Sequence, residues 1–459
     1  MAWWSRLLRH DAASSYTIET MTQPRVRNLL IIAYEFPPSA GGGVQRLTKF
    51  ARYLPESGWQ PHMLTGTPVW GRPLDNSLTV EVADVPIKRL PDRDLAALIA
   101  RIIKPFKRFR RASAGGGANA ASPLQEATGI PFSTRLMRRA FLDSAELWSR
   151  KVPAEALRMH RSVGFDAVLV SGPPHSALVA GMLASRLMDV PLVVDARDPW
   201  SGNPGYRWPR SRRMDGRSLR LHHEVMNAAA LVVAVSDPIT AESLKAGACR
   251  AITIPNGFDP TDLPQWNPQP GPLRIAFMGH FYGVTDPTPF FDGVALAVKR
   301  GGAAADLEID LLGQVSTSVA QVLAVRGLDS HVVNHGFCPH AEAVKIVSRA
   351  DAGLVVVADH PGAEAIYTGK LFEYLGMGLP ILFVGPVNGV ASALLAESRA
   401  GVVVAYDDPE GVARALDRLA NEKKSGVQSM DVNEDVVARF DRRSQVAYLG
   451  RLLDEVVAR

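Results

Sequence analysis

The sequence contains very little cysteine. Its 459 residues include two, Cys249 and Cys338, and neither belongs to a C-x-x-C pair. This scarcity argues against a disulfide framework and against a zinc site built from paired cysteines, and it suits a reducing compartment. We therefore predict a cytoplasmic protein.

Long apolar runs are also missing. No stretch reaches about eighteen uncharged apolar residues, so the sequence predicts no transmembrane helix. Residues 1–24 lack an apolar core of signal-peptide length and are interpreted as a flexible tail. With 47% hydrophobic residues, the chain has the composition of a soluble globular protein that is long enough for two or three domains.

Charge is unevenly distributed along the chain. The formal net charge is +5 at pH 7, but residues 1–270 are basic in sum and residues 271–459 are acidic. In the segment Arg101–Arg111, lysines and arginines are interleaved with apolar side chains, which fits either an anionic membrane surface or a solvated helical face. No nucleic-acid recognition module is visible, so a nucleic-acid partner is not expected.

The first half opens with a strand, a glycine loop and a helix. NLLIIA (Asn28–Ala33) is a continuous apolar strand, FPPSAGGG follows it, and the next residues have the spacing of a helix with one apolar face. This is the first unit of a doubly wound sheet. Gly41, Gly42 and Gly43 match neither G-x-G-x-x-G nor a P-loop, so taken alone they predict a tight turn.

Two later loops of the first half carry candidate residues. GPPHS places His175 after a strand, at the end where α/β sheets bind ligands, and DARDPW places Arg197 and Asp198 after the next strand. His175 is either a catalytic group or a cap of the helix that begins near Ser176. Arg197 and Asp198 either contact a ligand or form an internal ion pair.

A proline-rich linker separates this half from a second series of strands and helices. Prolines recur between residues 260 and 272, and the second series starts at Leu273. Because strands alternate with helices in both halves, the sequence predicts an α/β fold with parallel sheets.

The stretch AIYTGKLFEYLGMGLPILFVGP, residues 365–386, is the most informative. Its spacing predicts a loop, a helix capped by Thr368 and a buried strand. Free N–H groups at a helix start suit a diphosphate, and Lys370 adds a charge there. Glu373 lies one turn later, where a carboxylate can accept hydrogen bonds from a ribose diol. The pattern is therefore either a nucleotide clamp or a solvated Lys370–Glu373 pair.

This stretch resembles the donor-binding segment of the GT-B glycosyltransferases, especially the family 4 type. FPP..GG after the first strand, S.PPHS followed by P.VVDARDPW, and ITIPNGFD (252–259) resemble the same family in the same order. The resemblance covers the chain from residue 28 to its end and implies two Rossmann-like doubly wound domains facing across a cleft. The predicted division is a flexible N-terminal tail (1–24), an acceptor-binding domain (25–262), a donor-binding domain (263–430) and a C-terminal helix packing back on the first domain (431–459).

The resemblance also implies roles for individual residues. Glu373 would hold the donor ribose, and Lys370 would stabilise the leaving diphosphate and count, with His175, as catalytic. The remaining residues that it implies are Gly279, Gly369 and Leu371 for the donor, and Gly41, Gly42, Gly43, Arg197 and Asp198 for the acceptor or the phosphate loop.

The sequence departs from the family pattern at two places. Many family 4 members carry a further glutamate eight residues before the one that matches Glu373, and here that position is Ala365. The arginine and lysine that usually follow the glycine matching Gly279 are absent, and the next residue is His280. These departures weaken the donor-sugar contact and make the diphosphate site rest more heavily on Lys370.

By resemblance, the expected function is transfer of a sugar from a nucleotide diphosphate sugar to a glycan or lipid-linked acceptor, with retention at the anomeric carbon. No metal or cofactor is expected. Because acceptors in this family are often lipid-linked, the segment Arg101–Arg111 is interpreted as a contact to the inner face of a membrane. The alternatives are a nucleotide-sugar epimerase of GT-B fold and an inactive nucleotide-sugar-binding scaffold. The sequence identifies neither the base and sugar nor the acceptor.

Overall fold

The structure is a computed structural model. It describes residues 26–68, 74–92, 141–201, 212–281, 286–426 and 430–459. The predicted tail and the basic segment Arg101–Arg111 lie outside the described residues. Within the described ranges, every helix is too short or too polar to cross a bilayer.

The first domain is built on a parallel sheet whose strands are continuous apolar runs. Leu29–Ala33 are almost completely buried, as expected for a strand covered by helices on both faces. The strands are β1 (Arg27–Ala33), β2 (Trp59–Gly66), β3 (Ile87–Leu90), β4 (Ala167–Gly172), β5 (Leu192–Ala196), β6 (Leu231–Ala234) and β7 (Ala251–Thr253). They pair in the order β3-β2-β1-β4-β5-β6-β7.

The second domain repeats this plan with one strand fewer. Its strands are β8 (Arg274–Met278), β9 (Glu308–Leu312), β10 (Val332–Gly336), β11 (Ala352–Val356), β12 (Ile381–Gly385) and β13 (Gly401–Ala405). The order is β10-β9-β8-β11-β12-β13, again with parallel pairing. In both sheets the strand order reverses beside the first strand, and the loops that leave there diverge to form a ligand crevice.

Helices cover both faces of each sheet. Those of the first domain are α1 (Gly42–Tyr53), α2 (Ser77–Val80), α3 (Glu146–Ser149), α4 (Val152–Val163), α5 (His175–Met188), α6 (Arg212–Ala228) and α7 (Asp237–Lys245). The second half contains α8 (Thr288–Arg300), α9 (Thr317–Arg326), α10 (His340–Val347), α11 (Gly369–Met377), α12 (Val390–Ser398), α13 (Pro409–Ser425), α14 (Glu434–Ala438) and α15 (Arg442–Val457). The predicted doubly wound α/β architecture is confirmed.

The end of the chain differs from the single helix predicted there. It forms two helices, α14 and α15, and Asp441 separates them and caps α15 by accepting a hydrogen bond from Ser444 N (2.7 Å). Val436 of α14 belongs to the core of the second domain, whereas Leu449 and Leu453 of α15 belong to the core of the first.

The chain passes between the domains twice, and the two connecting segments are hydrogen-bonded to each other. Phe258 N donates to Phe440 O (3.0 Å), and Arg442 N donates to Phe258 O (2.9 Å). This short pairing of two linkers explains why the C-terminal helix breaks, because Asp441 is held in an extended conformation by its bridge to Phe258. The domain boundaries at residues 262/263 and 430/431 stay predictions.

Candidate functional site

The candidate residues lie at the carboxyl ends of strands beside the two switch points. In the first domain, Gly41–Gly43 follow β1, His175 follows β4 and Arg197 follows β5. In the second domain, Gly279 follows β8 and the start of α11 follows β11. The topology therefore brings together, within each domain, residues that are distant in sequence.

The glycine loop and Arg197 are in direct contact. A Cβ on Gly43 would lie 1.4 Å from Arg197 Nη1, so any other residue there would displace the guanidinium. Arg197 Nη2 donates to the carbonyl of Pro173, while its Nε is buried with no partner among the described residues. Gly41, which precedes α1, has φ +135°, a conformation that favours glycine. Arg197 thus connects the loops after β1 and β4, and Asp198 follows it, half-buried.

His175 is the first residue of α5 and is buried in an aromatic stack. Its ring stacks on Trp200 with centroids 4.5 Å apart, and Trp200 stacks in turn on His222 at 4.8 Å. The alternative role of His175 as a helix cap is not what the structure shows. Asp143 accepts the hydrogen bond from Ser176 N (2.8 Å) at the start of α5 instead.

The first domain contains a buried ion pair that the sequence analysis missed. Arg46 of α1 and Asp195 of β5 are fully buried, with Arg46 Nε 3.0 Å from Asp195 Oδ1. The other guanidinium nitrogens donate to the carbonyls of Ile254 and Pro255 (2.9 Å each), and Ser171 Oγ donates to Asp195 Oδ2 (2.6 Å). The available signal was the presence of charged residues between the apolar positions of α1.

Lys370 and Gly279 lie against each other in the second domain. A Cβ on Gly279 would lie 3.1 Å from Lys370 Nζ, and Gly279 has φ +135°, so both space and backbone favour glycine there. The ammonium lies over the ring of Phe277, 3.9 Å from its centroid. No described residue hydrogen-bonds Lys370 Nζ, which leaves its donors for a ligand.

The start of α11 retains polar groups without partners. Thr368 occupies the N-cap position, but its hydroxyl does not cap the helix as predicted, and Thr368 Oγ1 is buried with no partner among the described residues. The N–H of Leu371 already donates to Thr368 O (3.2 Å). The donors left at this helix start are therefore the N–H groups of Gly369 and Lys370 rather than that of Leu371.

Burial lowers the pKa of two basic groups beside the start of α11, Lys370 and His280. The pKa of Lys370 is lowered to about 8, because the effect of burial exceeds the opposing effect of the nearby Glu373 carboxylate. Burial also lowers the pKa of His280 below its ordinary value, and the charge of Lys370 lowers it further. His280 directly follows Gly279, and the sequence analysis noted it as part of a departure from the family pattern without giving it a role.

Glu373 does not pair with Lys370. Its Oε1 accepts a hydrogen bond from His340 Nε2 (2.8 Å), and the carboxylate is largely buried. Among the described residues, no group donates to its Oε2. The alternative of a solvated Lys370–Glu373 pair is thus wrong, because each side chain has a different neighbour.

Glu373 faces a cluster of charges where the two domains meet. A cavity of about 20 Å³ is lined there by residues of both domains, including Lys49, Asp259, Asp262, His340 and Arg442. This volume is close to that of one water molecule. Lys49 Nζ lies within 2.9 Å of Asp259 and 2.6 Å of Asp262, so the cluster is held by ion pairs.

A larger cavity of about 850 Å³ lies beside the start of α11, between the domains. Residues from both domains and from α15 line it, among them Asp237, Thr253, Tyr367, Leu394, Glu397 and Tyr448. Burial raises the pKa of Tyr367 to about 12. This volume is in the range of small-molecule sites. Over the described part of the chain, no group of three or more His, Cys, Asp or Glu side chains could hold a metal ion.

Comparisons with known proteins bear on the first domain and on the fold. The family model described as glycosyl transferase 4-like domain matches residues 41–257. No curated protein sequence matches the chain significantly.

Solved structures are similar over nearly the whole chain. HepE of Anabaena, in complex with UDP and glucose, has a TM-score of 0.59 at 14% identity, covering 94% of this chain and 100% of HepE. Sucrose-phosphate synthase of Thermosynechococcus elongatus has a TM-score of 0.62 at 14% identity, covering 94% and 99%. The lipopolysaccharide outer core galactosyltransferase WaaB has a TM-score of 0.55 at 11% identity, covering 92% and 99%. At these identities the likeness shows the fold, which is GT-B, as predicted.

Proposed function

We propose that this glycosyltransferase, which has a glycosyl transferase 4-like first domain and a GT-B fold, moves a sugar from a nucleotide diphosphate sugar to a glycan or lipid-linked acceptor. In this proposal the donor binds the second domain, the acceptor binds the first, and the anomeric configuration is retained. The observation that carries the proposal is the unpaired ammonium of Lys370 against Gly279 at the start of α11.

The diphosphate is the part of the donor that this arrangement suits best. Lys370 Nζ, the N–H groups of Gly369 and Lys370 and the hydroxyl of Thr368 all lack partners among the described residues, and Gly279 leaves room beside them. The helix dipole adds a positive potential at the same place. These groups would also stabilise the charge that develops on the leaving diphosphate, so no metal is required in the proposal.

The nucleoside is assigned to the neighbouring turn of α11. Glu373 lies one turn beyond Lys370, and its Oε2 is available to accept a hydrogen bond from a ribose hydroxyl. HepE of Anabaena, which has the same fold, has been solved with UDP-glucose. This supports a nucleotide sugar as the donor class here, while the base and sugar stay open.

The acceptor is assigned to the crevice of the first domain. His175, Arg197 and Asp198 and the loop Gly41–Gly43 follow adjacent strands there, and we propose His175 as the catalytic group of this side. Arg101–Arg111 would place a cytoplasmic enzyme at the inner face of a membrane, where lipid-linked acceptors are found.

Nucleotide binding by matched variants tests the donor site. We expect one of UDP, GDP and dTDP to raise the melting temperature of the wild type. Glu373→Ala should weaken binding of that nucleotide by roughly 1.5–3 kcal/mol, because charge-assisted hydrogen bonds are lost. Glu364→Ala is the control, since this exposed glutamate hydrogen-bonds Gly362 N within its own loop (3.0 Å). Unchanged affinity in Glu373→Ala would reject the ribose role.

The products of turnover separate the three candidate activities. Incubation with the matching nucleotide sugar should release free nucleotide, slowly even without acceptor, and EDTA should not prevent the release. A changed sugar on intact donor would indicate the epimerase instead. Binding without any turnover would indicate the scaffold.

A further inference from the structure

Hydrogen bonds connect the loop after β1 with the donor site in the other domain. They run from Pro38 through Asp75 and His340 to Glu373, and we call these residues the cross-domain chain. We infer that Asp75 and His340 are positioning residues that orient the Glu373 carboxylate for the donor ribose. The inference rests on the proposed function, since it presupposes a nucleotide at α11.

The link nearest the donor fixes one oxygen of the carboxylate. His340 Nε2 lies 2.8 Å from Glu373 Oε1, and both side chains are largely buried. A carboxylate held by one oxygen can no longer rotate freely, so its second oxygen points in a defined direction. That oxygen is Oε2, the acceptor assigned above to the ribose.

The next link crosses between the domains. His340 is the first residue of α10, whose N-cap residue, Pro339, provides no side-chain cap. The N–H of His340 donates instead to Asp75 Oδ2 of the first domain (3.4 Å). Asp75 therefore caps a helix of the other domain and restrains the residue that holds Glu373.

Asp75 is itself held against the loop after β1. Its N–H donates to Pro38 O (2.7 Å), and its other carboxylate oxygen accepts hydrogen bonds from Ser77 N (3.0 Å) and Ser77 Oγ (2.5 Å). An isolated bridge also pairs Ser39 with Leu74. Three hydrogen bonds thus connect the loop that leads into Gly41–Gly43 with the Glu373 carboxylate.

The surrounding charges favour this arrangement. Burial alone would lower the pKa of His340, but Glu373, Asp262 and Asp75 raise it above its ordinary value. Lys49 and Arg442 line the same small cavity and oppose a positive charge on His340. The net effect is a charge-assisted hydrogen bond to Glu373, which is stronger than a neutral one.

Discrimination between UDP and 2′-deoxy-UDP tests the role of His340. We expect the wild type to bind UDP more tightly than 2′-deoxy-UDP. His340→Ala should weaken UDP binding by about tenfold. The ratio of the affinities for UDP and 2′-deoxy-UDP should then fall toward the ratio of Glu373→Ala. His340→Gln, which keeps a donor at this position, should restore most of the ratio. His331→Ala is the control, because it removes a similar hydrogen bond, to Leu307 O, at the far end of β10.

A double-mutant cycle shows whether His340 acts through Glu373. In the Glu373→Ala background, His340→Ala should have no further effect on UDP affinity, since coupled residues are not additive. Additive effects, or an equal loss of affinity for UDP and 2′-deoxy-UDP, would overturn the inference without contradicting the proposed donor site. If the wild type bound no UDP, the proposed donor site and the inference would both fail for this nucleotide.

Asp75 is tested in the same assay. Asp75→Ala should reduce the ratio about threefold, because α10 loses its cap and His340 gains freedom. Ser77→Ala removes the hydroxyl that donates to the other oxygen of the same carboxylate, while the N–H of residue 77 and the bond to His340 N remain, so its ratio should match the wild type. Equal ratios in Asp75→Ala and the wild type would show that the contact between domains does not position the donor.

Discussion

At the scale of single residues, burial decides what Lys370 can do. Lysine side chains normally stay charged far above neutral pH, whereas burial brings the pKa of Lys370 to about 8. The ammonium makes no hydrogen bond to a described residue and rests on the ring of Phe277. A buried charge without a hydrogen-bonding counter-ion is unfavourable, and an anionic ligand would remove that penalty.

The lowered pKa predicts a pH dependence of nucleotide binding. Above about pH 8 the free protein loses the Lys370 proton, so UDP affinity should fall by up to about tenfold per pH unit, while below about pH 7 it should level off. Isothermal titration between about pH 7 and about pH 9.5 measures this. Lys370→Arg stays charged over that range and should remove the dependence. An identical fall in Lys370→Arg would assign the titration to another group.

At the scale of elements, the junction of β4 and α5 buries His175. The helix starts at His175, but its first turn is capped by Asp143, so the imidazole is not needed to begin the helix. It packs between the strand end and Trp200 instead. A buried histidine in such a stack is either a packing element or a catalytic group, and kinetics distinguish the two.

For His175 we expect a loss of turnover without a loss of nucleotide binding. His175→Ala should bind nucleotide normally and transfer sugar at least ~100-fold more slowly, which is within the range for a positioned catalytic group. His175→Phe is the matched variant, because it keeps an aromatic ring against Trp200 but has no ring nitrogen. If His175→Phe retained near-normal turnover, the role of His175 would be in packing and not in catalysis.

At the scale of the whole molecule, the last helix belongs to the core of the first domain. Val446, Leu449 and Leu453 of α15 pack with residues of β1 and α1, although the second domain lies between them in sequence. A Cβ on Gly450 would lie 2.5 Å from the Cβ of Ser57, so glycine allows this close approach. The first domain is therefore complete only when the end of the chain has returned to it.

This packing predicts that a substitution near the C-terminus destabilises the first domain. Leu449→Ala should lower the free energy of unfolding by about 2–5 kcal/mol, the usual cost of a cavity in a core. Arg451→Ala, on the exposed side of the same helix, should change it by less than about 0.5 kcal/mol. Urea denaturation measures both. Equal stability of the two variants would show that α15 packs loosely.

The sequence by itself determined the alternation of strands and helices, because apolar runs and helical spacing are local features. It also placed the candidate groups at strand ends and helix starts, as for Lys370, Gly279 and His175. Only the tertiary structure decided the partner of each group. The hydrogen bond of Glu373 to His340, the contact of Arg197 with Gly43 and the burial of Arg46 against Asp195 all join residues far apart in sequence. No local pattern specifies such pairs, since the approach of separate elements and the burial of their charges depend on packing of the whole chain.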